Sequence, residues 1–222
     1  IVEAYEDEKY YSKISRGLAL TPNQQHLIVA GLDSSIIFID LHTEKQHKIS
    51  LGHHADITAL ACVKDGNQVL SAFSDGIVKI WDVSEMKCVH TFETSHKLEV
   101  SSLSVSLDGK TFVTTSLDST VKVWNYNDRT CVHTFQKPHS SVITKIADPG
   151  DFTMIATASK DKSIKIWNTN RRECLHTFEE AHDGVISGLA FASDKSFIVS
   201  ASNDGSIKIW NAHTKEISDT IY

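Results

Sequence analysis

A chain of 222 residues, 41% of them hydrophobic and 23% charged, carries enough apolar side chains for a sizeable core and is not a disordered polypeptide. Its formal net charge is −6 and its arginines are only Arg16, Arg129, Arg171 and Arg172, so composition offers no phosphate-neutralising face, and no nucleic-acid partner is expected. No apolar run approaches a membrane span, no signal-peptide pattern opens the chain, and Cys62, Cys88, Cys131 and Cys174 read as reduced thiols. The expected setting is intracellular, the cytoplasm first, with a nuclear or cytoskeletal assembly as the other choices.

Residues 1–10 carry Glu3, Glu6, Asp7 and Glu8 and read as a solvated acidic segment. From residue 11 onward the chain is a succession of short runs rich in β-branched and aromatic residues. The first period, about 11–52, contains Ser35-Ile-Ile-Phe-Ile39-Asp40. The second, 53–95, contains Ile77-Val-Lys-Ile-Trp81-Asp82. The third, 96–138, has Thr120-Val-Lys-Val-Trp124-Asn125, and the fourth, 139–181, Ser163-Ile-Lys-Ile-Trp167-Asn168. The fifth, 182–222, has Ser206-Ile-Lys-Ile-Trp210-Asn211, so the four tryptophans stand 43 residues apart.

Each period holds four strand-like runs. In the fifth, Val185-Ile-Ser-Gly-Leu-Ala-Phe191 is the first and Phe197-Ile-Val-Ser-Ala201 the second. The third ends at the tryptophan. The fourth is Cys88-Val-His-Thr-Phe92 in the second period, echoed by Cys131-Val-His-Thr-Phe135 and Cys174-Leu-His-Thr-Phe178. Turn residues separate the runs: Asp65-Gly66, Asp75-Gly76, Asp108-Gly109, Asp148-Pro149-Gly150 and Asp204-Gly205. No helical periodicity competes with them. The reading is all-β, with four strands per period forming one blade of a propeller. A blade is a small sheet with two apolar faces, and it buries them only by stacking on its neighbours.

Four further positions keep the register. His53, His96, His139 and His182 recur every 43 residues, as do Asp75, Asp118, Asp161 and Asp204. A hydroxyl stands four residues before each aspartate: Ser71, Thr114, Thr157 and Ser200. Trp81-Asp82 and Gly52-His53 are literal Trp-Asp and Gly-His dipeptides; the later copies read Trp-Asn and Ser-His, Pro-His or Ala-His. On these residues the sequence resembles the WD-repeat β-propeller family over about residues 11–222. The resemblance implies a structural tetrad per blade. The indole N–H would donate to the hydroxyl, the hydroxyl to the histidine, and the histidine's other nitrogen to the aspartate, which also steadies the turn between the second and third strands. The first period departs from the pattern, with Tyr11, Val29 and Ile39 at the histidine, hydroxyl and tryptophan positions and only Asp33 kept. It is expected to be a blade held by packing.

The same residues invite sharper readings. A Ser–His–Asp set could be a hydrolase triad, but catalytic sites are grafted singly on a fold and are not repeated in each module. Cys88/His90, Cys131/His133 and Cys174/His176 offer two metal ligands each, on outer strands of different blades, where a zinc site needs about four. Lys79, Lys122, Lys165 and Lys208 are expected to lay their stems on apolar surface and carry their ammonium groups to water. No catalytic residue, cofactor or metal site is expected.

In the family, partners most often sit on the face formed by the loops entering the first strand and joining strands two and three. By register, its positions here are Asp56, Thr58 and Ser74; Glu99, Ser101 and Leu117; Val142, Thr144 and Lys160; and Val185, Ser187 and Asn203. The first period adds Ile14, Arg16 and Leu32. With no aromatic residue and one arginine, the set disfavours a phosphopeptide reader. The expected function is a non-catalytic protein-interaction scaffold, a subunit of an intracellular multiprotein assembly that binds other proteins. The alternatives are a propeller that binds a small ligand in its central channel and a structural module of a larger chain. WD-repeat propellers commonly close with seven blades, so five could be a complete ring or part of a larger one. The segment Ile1-Val-Glu-Ala-Tyr5 would then be the fourth strand of a preceding blade.

Overall fold

The computed structural model describes residues 17–31, 33–50, 55–64, 66–93, 95–136 and 138–222. The expectations placed on residues 1–10, Tyr11, Ile14, Arg16, Leu32, Gly52, His53 and Asp65 lie outside the described residues. Blade 1 consists of β1 (Leu18–Leu20), β2 (His26–Ala30), β3 (Ser35–Asp40) and β4 (Gln46–Ser50). Blade 2 is β5 (Ile57–Cys62), β6 (Gln68–Phe73), β7 (Val78–Asp82) and β8 (Lys87–Phe92). Blade 3 is β9 (Val100–Val105), β10 (Thr111–Ser116), β11 (Thr120–Asn125) and β12 (Thr130–Gln136). Blade 4 is β13 (Ile143–Ala147), β14 (Met154–Ser159), β15 (Ile164–Asn168) and β16 (Glu173–Phe178). Blade 5 is β17 (Ile186–Phe191), β18 (Phe197–Ser202), β19 (Ile207–Asn211) and β20 (Ile217–Ile221). Each blade is an antiparallel meander in which consecutive strands pair, and the described residues contain no helix.

Alternation along the strands gives each blade two faces. In β7, Val78 and Ile80 point forward, toward blade 3, while Trp81 points back toward blade 1. The forward set Leu70, Ala72, Val78, Ile80 and Phe92 packs on the rear set Val100, Leu103, Phe112 and Trp124 of blade 3. Blades 1 and 2, 3 and 4, and 4 and 5 join through the corresponding positions. Each junction thus buries a cluster of aliphatic side chains, each contributing about 1.5–3 kcal/mol when fully buried. At three junctions the outer-strand phenylalanine meets the next tryptophan: Phe92–Trp124 at 5.3 Å, Phe135–Trp167 at 5.1 Å and Phe178–Trp210 at 4.7 Å between ring centroids.

Two backbone devices shape the blades. The register slips by one residue in the first strand of blades 2 to 5, leaving Thr58, Ser101, Thr144 and Ser187 as the bulged residues. The turn from first to second strand needs a left-handed residue. Gly66 and Gly109 supply it at φ 72°, whereas blade 4 uses the buried Phe152 at φ 53°.

The hairpins joining third to fourth strands explain the drift from Trp-Asp to Trp-Asn. The side-chain Oδ1 accepts backbone N–H bonds in every blade: Asp40 from His42 and Thr43, Asp82 from Glu85, Asn125 from Asp128, Asn168 from Arg171, and Asn211 from His213 and Thr214. Aspartate and asparagine both offer that oxygen.

Candidate functional site

The histidine of each network comes from the loop that precedes a blade, and the aspartate from the turn between its second and third strands. In blade 3, Trp124 Nε1 donates to Thr114 Oγ1 (2.9 Å), and Thr114 Oγ1 lies 2.7 Å from His96 Nε2. His96 Nδ1 is 3.1 Å from Asp118 Oδ2. The corresponding distances in blade 4 are 2.8 Å for Trp167–Thr157, 2.7 Å for Thr157–His139 and 3.1 Å for His139–Asp161. In blade 5 they are 2.9 Å for Trp210–Ser200, 2.7 Å for Ser200–His182 and 3.0 Å for His182–Asp204. In blade 2, Trp81 donates to Ser71 at 2.7 Å and Asp75 Oδ1 accepts the N–H of Ile77 at 3.0 Å, with His53 outside the described residues. One proton assignment satisfies the chain. The indole N–H can only donate, so the hydroxyl proton is left for Nε2, and Nδ1–H donates to the carboxylate.

A fifth member had not been singled out from the sequence. Two residues after the aspartate stands a second hydroxyl: Thr120, Ser163 and Ser206 donate to Oδ1 of Asp118, Asp161 and Asp204 at 2.6, 2.6 and 2.7 Å. Blade 1 keeps the pair as Ser35–Asp33, and blade 2 has Ile77 there. The signal was present at that fixed offset in four of the five periods. The other carboxylate oxygen accepts the backbone N–H after the histidine, from Lys97, Ser140 and Asp183. The carboxylate therefore ties the histidine loop, the turn and the ring into one unit.

The electrostatics follow from burial and these bonds. Burial holds His139 down at about 4, against an ordinary 6.5, despite the attraction of Asp161. His96 is lowered by burial in the same way. Burial pushes Asp161 up, but the hydrogen bonds from Ser163 and the proximity of His139 outweigh it and bring it to about 2. Asp118 is lowered too, its burial outweighed by bonds from His96 and Thr120. His96 and His139 are thus neutral, and Asp118 and Asp161 ionised, near neutral pH. Thr114, Thr157 and Ser200 are fully buried, and each takes an indole proton, so no substrate reaches their oxygens. The arrangement braces a blade and is not built for acyl transfer.

Three of the four third-strand lysines, all half-buried, also bring their ammonium groups near aromatic rings. Lys79 Nζ lies 5.6 Å from the Phe73 ring centroid and 6.0 Å from that of Trp81. Lys122 and Lys208 stand 5.6 and 5.9 Å from the rings of Trp124 and Trp210, and Lys208 Nζ also donates to Ala181 O at 2.7 Å. The ammonium is drawn to the indole face by its quadrupole. Cys88, Cys131 and Cys174 are free and exposed on outer strands, and among the described residues no three metal-ligating side chains gather.

On the candidate binding face the structure brings residues together in pairs. Backbone bonds run from Ser74 to Asp56, Leu117 to Glu99, Lys160 to Val142 and Asn203 to Val185, each joining a second-to-third-strand turn to a first-strand loop. Asp56, Lys160, Ser187 and Asn203 are exposed, and Ser74, Glu99, Leu117, Val142 and Val185 half-buried. One member is misplaced: Thr58 is buried, with 7% of its surface exposed, and is corrected from partner-facing to interior. The bulge aims this position at the first strand of the next blade; Ser187, with the same bulge in the last described blade, is exposed. Thr144 shows what the position does, since its Oγ1 donates to Ile186 O of blade 5 at 2.8 Å and links the two blades. Ser101 is engaged by Thr115 at 3.0 Å.

Five four-stranded antiparallel blades, with a tryptophan–hydroxyl–histidine–aspartate network recurring between them, define a β-propeller protein of the WD type. The profile described as WD domain, G-beta repeat matches residues 44–82, 86–125, 129–168 and 172–211, more than half of the sequence. The chain belongs to this family. Each matched repeat begins near an outer strand and ends at the third strand of the next blade, so the sequence unit straddles two structural ones. Human THO complex subunit 6 is 37% identical over 76 residues, 34% of this chain and 22% of the relative. WD repeat-containing protein 18 of Bos taurus is 31% identical over 80 residues, 31% of this chain and 18% of the relative. A WD repeat-containing protein 26 homolog of Arabidopsis thaliana is 27% identical over 97 residues, 42% of this chain and 15% of the relative. The chain thus spans less than a quarter of the length of these relatives.

Proposed function

We propose that the chain is a non-catalytic scaffold, a WD-repeat subunit of an intracellular multiprotein assembly whose partners are other proteins. The observation that carries this reading is that the repeated polar groups are consumed inside the blades. Every described Ser/Thr–His–Asp set is sealed by its tryptophan, which leaves the loops as the variable, accessible chemistry. The human relative's name describes a subunit of a complex, which supports a role in an assembly. The partner would meet the histidine-loop face through Asp56, Ser74, Glu99, Leu117, Lys160, Ser187 and Asn203, with Val142 and Val185 between them.

Cross-linking of native material with identification of the linked lysines tests this. Lys97, Lys160 and Lys162 report on the histidine-loop face; Lys64, Lys87, Lys110 and Lys215 report on the opposite one. Reproducible links from the first set to another protein are the expected result. Links only from the second set would move the interface, and a native sample with links only inside the chain would overturn the scaffold reading.

A further inference from the structure

The outer rim of blades 3 and 4 carries side chains that neither the turns nor the core requires. Both blades have a neighbour on either side, and their fourth strands, β12 and β16, are the outer edges of their sheets. In blades 2 to 5 the fourth strand slips by one residue against the third, leaving Val89, Val132, Leu175 and Ser218 as the bulged residues. Ser218 shows that a polar side chain suits this position. Blades 3 and 4 instead expose Val132 (50%) and Leu175 (39%) there.

The arginines gather at the same place. Arg129, Arg171 and Arg172, three of the four in the chain, all lie in the hairpins that lead into β12 and β16, and all are exposed. Arg129 and Arg172 are left-handed, at φ 56° and 60°, in a position that Glu44 and Met86 fill in other blades. The turn therefore accounts for none of these cations. Each reaches the fourth strand of the blade before. Arg129 Nη1 lies 3.5 Å from His90 Nδ1. Burial, and then the charge of Arg172, hold His133 below its ordinary value, and burial and Arg129 do the same for His90. Arg129 and Arg172 thus sit against neutral imidazoles, while Arg171 has a loose, exposed pair with Glu173 at 3.6 Å. Asp128 and Glu173 are the only carboxylates of the two hairpins, so this rim is locally cationic in a chain of net charge −6. Around it, a cation beside an imidazole alternates with an exposed aliphatic side chain.

We propose that the outer rim of blades 3 and 4 is an interaction surface of its own, which takes an extended, acidic protein segment with aliphatic residues between its carboxylates. Arg129 and Arg172 would each hold a carboxylate through the parallel N–H donors of the guanidinium. Val132 and Leu175 receive the aliphatic side chains. Arginine is among the residues that most often anchor interfaces, and the histidine-loop face has none among the described residues. An extended chain can pass from blade to blade along the rim and meet the cations and aliphatic residues in turn, which a flat anionic membrane does not match. This surface is separate from the histidine-loop face and does not depend on what binds there.

The test is fluorescence anisotropy of the 222-residue protein with a labelled synthetic peptide of repeated Asp-Leu-Asp-Gly units. Two control peptides carry asparagine for the aspartates or serine for the leucines. The acidic, leucine-bearing peptide is expected to bind, and each control to bind roughly tenfold more weakly. Arg172→Glu and Val132→Ser, both at exposed positions and checked for folding by thermal melts, are each expected to weaken binding by a similar factor, whereas Lys64→Glu on another face leaves it unchanged. Co-sedimentation with phosphatidylserine vesicles is expected to leave the protein in the supernatant. No binding of the acidic peptide, equal binding of the three peptides, folded rim variants that bind as the unaltered protein does, a loss with Lys64→Glu equal to theirs, or pelleting with the vesicles would each overturn the proposal.

Discussion

Blade 1 and blade 4 have the same four strands and the same pairing, yet they are held by different means. Blade 4 is braced by a five-membered polar network around His139, in which every buried donor and acceptor has a partner. Blade 1 has isoleucine and valine in the central positions, and its surviving aspartate, Asp33, faces solvent in a pair with Lys48 at 2.5 Å. The difference shows that the polar network is not what makes a blade. Apolar alternation on two faces is enough to form the sheet. The network instead fixes where the preceding loop lands, because His139 and Ser140 both report to Asp161.

The sharpest way to break this comparison is to remove the aspartate from each blade. Asp161→Ala strands a buried histidine N–H, the Ser163 hydroxyl and a backbone N–H, and is expected to cost about 3 kcal/mol. Asp33→Ala removes an exposed ion pair and a turn bond and should cost below about 1 kcal/mol. Chemical denaturation of both variants checks this, and equal losses would refute the distinction.

Acid should act through the networked blades. His139 sits near 4 when folded against 6.5 when free, so between these values the unfolded chain binds the proton that the folded chain refuses. Its contribution is complete above about pH 6.5 and fades as pH falls toward 4, by on the order of 3 kcal/mol in all. Asp161, near 2 against 3.8, adds a second loss below that window. Melting temperature should be flat above neutrality and fall steadily through pH 6 and 5. His139→Gln should flatten part of that fall, and an unchanged slope would refute the assignment.

A finer comparison lies between two bulged threonines. Thr144→Val loses the bond to Ile186 O across a blade junction and should destabilise by about 1 kcal/mol. Thr58 Oγ1 is buried without a hydrogen-bond partner among the described residues, so Thr58→Val should stabilise by up to about 1 kcal/mol. Opposite shifts in the denaturation midpoint are the expected outcome.

The blades were legible in the sequence because period and alternation are properties of residue type. Trp124, Thr114, His96 and Asp118 stood at constant offsets, and the structure holds them within hydrogen-bond distance. The bulges were not legible. A register slip repeated in blades 2 to 5 leaves the 43-residue spacing unchanged, so nothing in the pattern marks Thr58 as turned inward. The placement of Lys79 over an indole was hidden for a related reason, since a stem on apolar surface and a head on a ring look alike in sequence. The second hydroxyl at Thr120, Ser163 and Ser206 was visible as a recurrence, but it stands beside the start of a strand, where serine and threonine are commonplace.

The meander has a consequence for how the chain comes to its shape. Among the described residues every hydrogen-bonded strand pair joins neighbours in the sequence, so none of these pairings has to wait for distant segments to meet. Few all-β topologies keep loop closure so short, and short closures make for quick, local nucleation. Any one blade can serve as the nucleus and its neighbours as the growing front. The same locality lets a lineage lengthen or shorten such a chain by whole blades without rewiring the rest.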